Sequence, residues 1–213
     1  MEKGIGFFSV SLEILVLSKT VLNVRYGRKT FNSVAPRLIE LPRRLLAIQV
    51  LMLVNGFSSA LLRFYYGNDL IGNEIGAASK NVVGIAAGIL DGLGLSSLKG
   101  ALMSRGTREI ARLIKAMGGS ELSAYGLCHL GDYEATVFSR FSHNRSYGEA
   151  LARGADYSEL AEGHYTADAL NTLAAKKRVE LPICAAVYRV IYEKKNPAEE
   201  VKNLFLRDLK SEF

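Results

Sequence analysis

From Asp69 to Leu93 the apolar residues Ile71, Ile75, Ala78, Val82, Ile85, Ile89 and Leu93 recur at steps of three and four. That spacing lines one face of a long α-helix, which must bury its stripe against other elements, so the chain is read as folding around it. The same helix carries a single central lysine, Lys80, with Gly76, Gly84 and Ala87 or Gly88 one and two turns away on its face. Each helical glycine costs about 1 kcal/mol relative to alanine, so a cluster of them implies that something comes close. Two readings stay open here. Either a ligand approaches the Lys80 ammonium, or another backbone packs tightly while Lys80 reaches out to solvent.

The chain beyond Gly56 reads as all-helical. A second helix is predicted over about Ser97 to Met117, with Leu98, Ala101, Leu102, Ile110, Leu113, Ile114 and Met117 inward, Arg105 as a polar break and Gly118-Gly119 as the stop. Others follow at about Asn144 to Arg153, Thr166 to Lys177, Pro182 to Glu193 and Pro197 to Phe205. The last has an Asn196 cap, Pro197 at the first helical position and Glu199 placed to bond back. Residues 1 to 55 differ: a β-branched apolar stretch from Phe7 to Val24, a turn near Gly27, then a mixed basic and apolar stretch from Pro36 to Val54.

Two cysteines, Cys128 and Cys184, stand far apart without a Cys/His cluster, which argues against a disulfide scaffold and against a metal site and suits a cytoplasmic protein. The formal charge of +6 could serve nucleic acid, a membrane surface or an anionic small molecule; the basic residues are scattered among acids and no nucleic-acid-binding pattern accompanies them, which argues against nucleic acid. Leu45 to Leu62 is uncharged but holds Gln49, Asn55, Ser58 and Ser59 between Arg44 and Arg63, which favours a buried segment over a membrane span. The opening Met-Glu-Lys-Gly does not read as the start of a cleavable signal segment.

Residues 131 to 145, GDYEATVFSRFSHNR, gather Asp132, Thr136, Ser142, His143, Asn144 and Arg145 into what reads as a polar loop ahead of a helix. If Asn144 caps that helix, its free N–H groups with His143 and Arg145 make a favourable phosphate site; an ordinary capped helix with solvated charges is the alternative. Glu162 and the pair Glu199-Glu200 read as surface charges.

Together these segments resemble a known family. IGNEIGAASKNVVGIAAGILDGLGL resembles the GxExxGALKNVxAIAAGIxDGLG signature of NAD(P)-dependent glycerol-3-phosphate dehydrogenase, with Lys80-Asn81 at its Lys-Asn pair. In the same order, LKGALMSRGTREIARLIKAMGG resembles the next helix, GLCHLGDYEATVFSRFSHNR the GLxGxGDL…SRN segment, AEG the VEG triplet, and ELPICAAVYRVIYEKKNP the closing helix. The resemblance covers about three quarters of the chain. It implies an all-helical domain like that of 6-phosphogluconate dehydrogenase over residues 61–213, preceded in residues 1–60 by an incomplete α/β (Rossmann) remnant of the NAD-binding domain.

The implied reaction reduces dihydroxyacetone phosphate to sn-glycerol 3-phosphate, a glycerophospholipid precursor, with NAD or NADP as cofactor, in a cytoplasmic homodimer that needs neither nucleic acid nor membrane. The resemblance makes Lys80 the catalytic proton donor and acceptor. Lys3, Lys80, Asn81, Asp132, Thr136, Ser142, His143 and Asn144 become substrate contacts, and His143, Leu160 and Glu162 positions beside the cofactor. His143 replaces an arginine of the family, exchanging a fixed cationic fork for a ring that is mostly neutral at pH 7, unless Arg140 or Arg145 substitutes. Asp132 is expected to orient the Lys80 ammonium. Residues 3–5 and KTFNSVAP only weakly resemble the family's first half, the likeness lapses beyond Pro36, and no GxGxxG occurs. The chain alone is therefore expected to lack turnover, and a non-catalytic helical dimerisation or interaction module remains the alternative.

Overall fold

The structure is a computed structural model that describes residues 13–14, 21–26, 29–34, 52, 55–56, 67 and 69–208. Contacts divide the chain into two units, Met1–Leu70 and Ile71–Phe213. In the first, strands β1 (Glu13–Ile14), β2 (Val21–Tyr26) and β3 (Lys29–Val34) form an antiparallel sheet in sequence order, with Tyr26 opposite Lys29 and Val21 opposite Val34. A dinucleotide-binding βαβ unit pairs its strands in parallel, so these described strands are not paired as such a unit would be. The turn near Gly27, the stretch from Pro36 to Val54, most of Phe7 to Val24, the segment Leu45 to Leu62 and Lys3 lie outside the described residues or nearly so.

The second unit is helical throughout: α1 (Leu70–Gly92), α2 (Lys99–Ala116), α3 (Asp132–Phe138), α4 (His143–Arg153), α5 (Glu162–Lys177), α6 (Pro182–Tyr192) and α7 (Pro197–Phe205). A 3₁₀ segment, Glu121–Tyr125, and one π-helical turn, Leu127–Gly131, join α2 to α3. Helix α1 is central, with Val82, Val83, Ile85 and Ala87 wholly inaccessible. Around it pack Ile110, Leu113 and Ile114 of α2, Ala167 and Leu170 of α5, and Val187, Val190 and Ile191 of α6. Burying each such aliphatic side chain is worth about 1.5–3 kcal/mol, the main drive for a domain with no disulfide among its described residues.

Helices α1 and α4 meet backbone to backbone. A methyl on Gly88 would lie inside the Arg145 carbonyl oxygen and 2.8 Å from Arg145 C and Glu149 N; one on Gly148 would lie inside the Ile85 carbonyl oxygen and 3.0 Å from Ile89 N. Gly84 faces Asn144, and Gly92 faces Ala152, at the same four-residue step. The glycines of α1 therefore admit a neighbouring backbone. Gly76 does likewise for the π turn, where an added methyl would come 3.1 Å from Cys128 Sγ and His129 Cβ.

Buried polar groups join the remaining helices. Glu109 of α2, 4% exposed, accepts from the backbone N–H groups of Ile183 (2.7 Å) and Cys184 (3.3 Å), the open N-terminus of α6. Burial pushes its carboxyl up to about 7 despite those bonds. Tyr133 of α3 donates to the Met103 carbonyl and lies 2.8 Å from Thr107 Oγ1. Lys99, Arg145 and Ser96 converge on Asp91 at 2.6, 2.9 and 2.7 Å. Although burial acts to raise it, those partners hold the Asp91 carboxyl below its usual value. Asn196 caps α7, accepting from Ala198 N (2.9 Å) and Glu199 N (3.2 Å).

Candidate active site

Lys80 leaves α1 between two glycines that are filled by other elements: Gly76 by the π turn, Gly84 by Thr136 and Asn144. The π turn matters because it ends directly on Asp132, the first residue of α3, and sets that carboxylate against the Lys80 ammonium. The two form an ion pair across 52 positions of sequence, with the lysine side chain 25% and the aspartate 15% exposed. Lys80 thus does not reach out to solvent but turns to Asp132, while the glycines around it admit the π turn and α4.

The turn is itself anchored by His129. Its ring is inaccessible to solvent, Nδ1 lies 2.9 Å from the Gly76 carbonyl oxygen, and Nε2 has no partner among the described residues. Burial lowers its pKa to about 4, so the ring is neutral and Nδ1–H donates to that carbonyl. Nothing in the sequence reading singled out this histidine.

Beside Lys80, Asn81 Oδ1 accepts from Asn144 Nδ2 at 3.0 Å, and Asn144 Oδ1 accepts from Gly163 N at 2.8 Å. Asn81 Nδ2 also points to Glu162 Oε2 at 3.4 Å. This chain of amides ties α1, α4 and α5 together. Gly163 has to be glycine here, since a methyl would sit 2.6 Å from the Asn81 carbonyl oxygen. Thr136 joins through its methyl, which packs on Gly84, while its hydroxyl donates back to the Asp132 carbonyl at 3.2 Å.

Two expectations about this region need correction. The stretch 131–145 is not a polar loop, because Asp132–Phe138 is helical, held by the buried Tyr133 and Val137. Nor does Asn144 cap α4: Ser142 does, its Oγ accepting from Arg145 N at 3.3 Å, which frees Asn144 to turn inward, 9% exposed, as the amide bridge. Helix α5 begins at Glu162 rather than near Thr166, and this places Glu162 in its exposed first turn, close to Asn81.

His143, the first residue of α4, is exposed, with Nδ1 3.1 Å from Tyr157 Oη. Arg145 offers it no substitute. Its guanidinium is bound to Ser139 O, Asp91 and Glu149, toward the far end of α1, about 16 Å along the helix from Lys80. Arg140 is exposed and lines a surface concavity with Asp91, Lys99, Phe138 and Glu149. Leu160, 68% exposed, stands just before α5. So Lys80, Asn81, Asp132, Thr136, Asn144 and Glu162 converge through direct contacts, Ser142 and His143 lie at the adjoining start of α4, and Lys3 is not among the described residues. No group of metal-ligating side chains occurs among the described residues.

The family described as "NAD-dependent glycerol-3-phosphate dehydrogenase C-terminus" matches residues 69–202, and the chain belongs to it. Among its relatives, glycerol-3-phosphate dehydrogenase [NAD(P)+] of Clostridium botulinum (strain Alaska E43 / Type E3) is 40% identical over 167 residues, 75% of this chain and 51% of the relative. That of Solidesulfovibrio magneticus is 42% identical over 163 residues, 73% of this chain and 49% of the relative. The crystal structure of glycerol-3-phosphate dehydrogenase from Coxiella burnetii superposes with a TM-score of 0.70 at 34% identity, over 76% of this chain and 52% of the other. The Plasmodium falciparum enzyme, 17% identical with a TM-score of 0.67, shares the fold. The chain spans about half the length of the curated relatives it matches.

Proposed function

We propose that this chain supplies the substrate-binding and proton-transfer half of an NAD(P)-dependent glycerol-3-phosphate dehydrogenase, interconverting dihydroxyacetone phosphate and sn-glycerol 3-phosphate. The observation that carries the reading is the Lys80–Asp132 pair beside the Asn81–Asn144–Gly163 bridge. A carbonyl being reduced develops negative charge on oxygen, and an ammonium fixed beside it stabilises and then protonates that oxygen. Asp132 fixes the direction of Nζ. The first turn of α4, with Ser142, His143 and Asn144, offers N–H groups and a helix dipole to the phosphate.

The residues present fit the nicotinamide end of a cofactor: Glu162 and Asn81 offer acceptor and donor groups for a carboxamide, and exposed Leu160 offers apolar surface. When bound, the nicotinamide supplies the hydride. A Gly-rich loop for its phosphates is not encoded in these 213 residues. The compartment proposed is the cytoplasm and the assembly a homodimer; no helix among the described residues is long and apolar enough to cross a membrane.

The test joins this chain to the dinucleotide-binding domain of a relative. Lys80→Ala should lower kcat by about 10²-fold or more with a smaller change in KM, since the lost interaction belongs to the transition state. A Lys80→Ala enzyme that keeps its rate would remove the lysine from the mechanism. A second reading is a non-catalytic helical dimerisation or interaction module. A folded, dimeric 213-residue protein that binds neither NADH nor sn-glycerol 3-phosphate would decide for it.

A further inference from the structure

His143 lies where the proposed phosphate site needs a directed donor, yet an exposed imidazole has neither fixed tautomer nor fixed direction. Tyr157, fourteen positions later, in the segment between α4 and α5, supplies what the ring lacks: its Oη is 3.1 Å from Nδ1. We propose that Tyr157 is a positioning residue that holds His143 by Nδ1, so that Nε2–H is presented as a fixed donor to the substrate phosphate. This rests on the phosphate site proposed above.

The tyrosine is braced for that role. Its ring packs on Tyr147 of α4, centroids 5.6 Å apart and planes at 43°. The Tyr147 hydroxyl lies 3.0 Å from His164 Nδ1 on α5, and the His164 carbonyl accepts from the Tyr192 hydroxyl of α6 at 3.0 Å. A phenol both donates and accepts. It satisfies Nδ1 of a neutral ring by donating to the lone pair, and Nδ1–H of an imidazolium by accepting, and in both states the proton on Nε2 stays. Burial and then Glu159 push the Tyr157 pKa up, which keeps the hydroxyl protonated. A held imidazole thereby regains the directional donation that a guanidinium has from its planar geometry.

The experiment uses the 213-residue chain with ¹⁵N-labelled histidine at about pH 8. Ring nitrogen shifts are recorded, and sn-glycerol 3-phosphate and sulfate are titrated. Tyr157→Phe keeps the ring on Tyr147 and removes only the hydroxyl. In the wild type, His143 should appear as the Nε2–H tautomer. In Tyr157→Phe its nitrogens should move toward tautomer-averaged shifts, and affinity for both ligands should fall by about 3- to 10-fold, the size of one net hydrogen bond. On a His143→Ala background, Tyr157→Phe should cost nothing further. An unchanged ring spectrum, or an equal loss on that background, overturns the positioning role. If His143→Ala itself leaves both affinities unchanged, the phosphate reading fails instead and takes the donor role with it, even where Tyr157→Phe still moves the ring.

Discussion

The α1–α4 contact makes a matched pair of identical substitutions differ in sign. Gly100, on the exposed side of α2's first turn, has open space where a methyl would go, so Gly100→Ala gains helix propensity of up to about 1 kcal/mol. Gly88→Ala gains as much in propensity but sets its methyl 2.8 Å from Arg145 C and Glu149 N, with the Arg145 carbonyl oxygen nearer still. Ordinary contact begins at 3.4 Å, and every crowded atom is backbone, the Arg145 carbonyl oxygen nearest, so the helices have to separate by more than an ångström. Overpacking of this kind costs about 1–3 kcal/mol, and the rigidity of the neighbours places it near the top of that range. The two variants should therefore differ by about 3 kcal/mol, on the order of 6–12 °C in melting temperature for a chain of this size. Thermal and urea denaturation followed by circular dichroism at the helical band measures it. Equal stability of the two would refute the backbone contact and with it the explanation of the α1 glycines.

Opposed slopes are expected from two buried groups. The Glu109 carboxyl, at about 7 when folded against 4.5, contributes fully below pH 4.5 and loses its contribution as pH rises to about 7. The His129 ring, at about 4 against 6.5, contributes fully above pH 6.5 and loses it as pH falls to about 4. Glu109→Gln should accordingly leave stability rising with pH between these limits, and His129→Asn leave it falling, each by on the order of 3 kcal/mol in urea titrations at several pH values. Asn144→Ala strands the buried Gly163 N–H and should destabilise by about 1–3 kcal/mol by denaturation, besides raising KM in the joined enzyme. Asn196→Ala removes the α7 cap, and a loss of about 1 kcal/mol is expected in the same assay.

Helix α1 was legible because its apolar pattern is long, although Val82 to Leu90 are buried all round rather than along one stripe and Ile71 is exposed; α7 was legible because Asn196-Pro197 states a start that needs no tertiary partner. The start of α5 was misplaced because its signal is not local. Ala161 provides no capping side chain, and the Gly163 N–H is satisfied by Asn144, nineteen positions away. The same holds at α4, where two polar residues two positions apart each suit a cap and only the folded neighbours decide that Ser142 caps and Asn144 bridges. Asp132 could be matched to Lys80 by resemblance, but the π turn that aims it carries no periodic signature. Glu109 was readable in principle: it falls on the face of Leu102, Gly106 and Leu113, so an acid on an apolar stripe marked a buried carboxylate.

The ties that make the site are all distant in sequence: 52 positions from Lys80 to Asp132, 63 from Asn81 to Asn144, 81 from Asn81 to Glu162. A helix can form as it is synthesised, whereas these pairs wait on loop closures whose entropic cost grows only slowly with length. A nascent chain that has not yet emerged as far as Gly163 has most of α1 to α4 available to it but leaves Asn144 Oδ1 without its donor and Asn81 without Glu162. The Asn81–Asn144–Gly163 bridge consequently completes only after Gly163 is made, well after both partners of the Lys80–Asp132 pair, and folding of this domain should be slower than its helical content alone suggests.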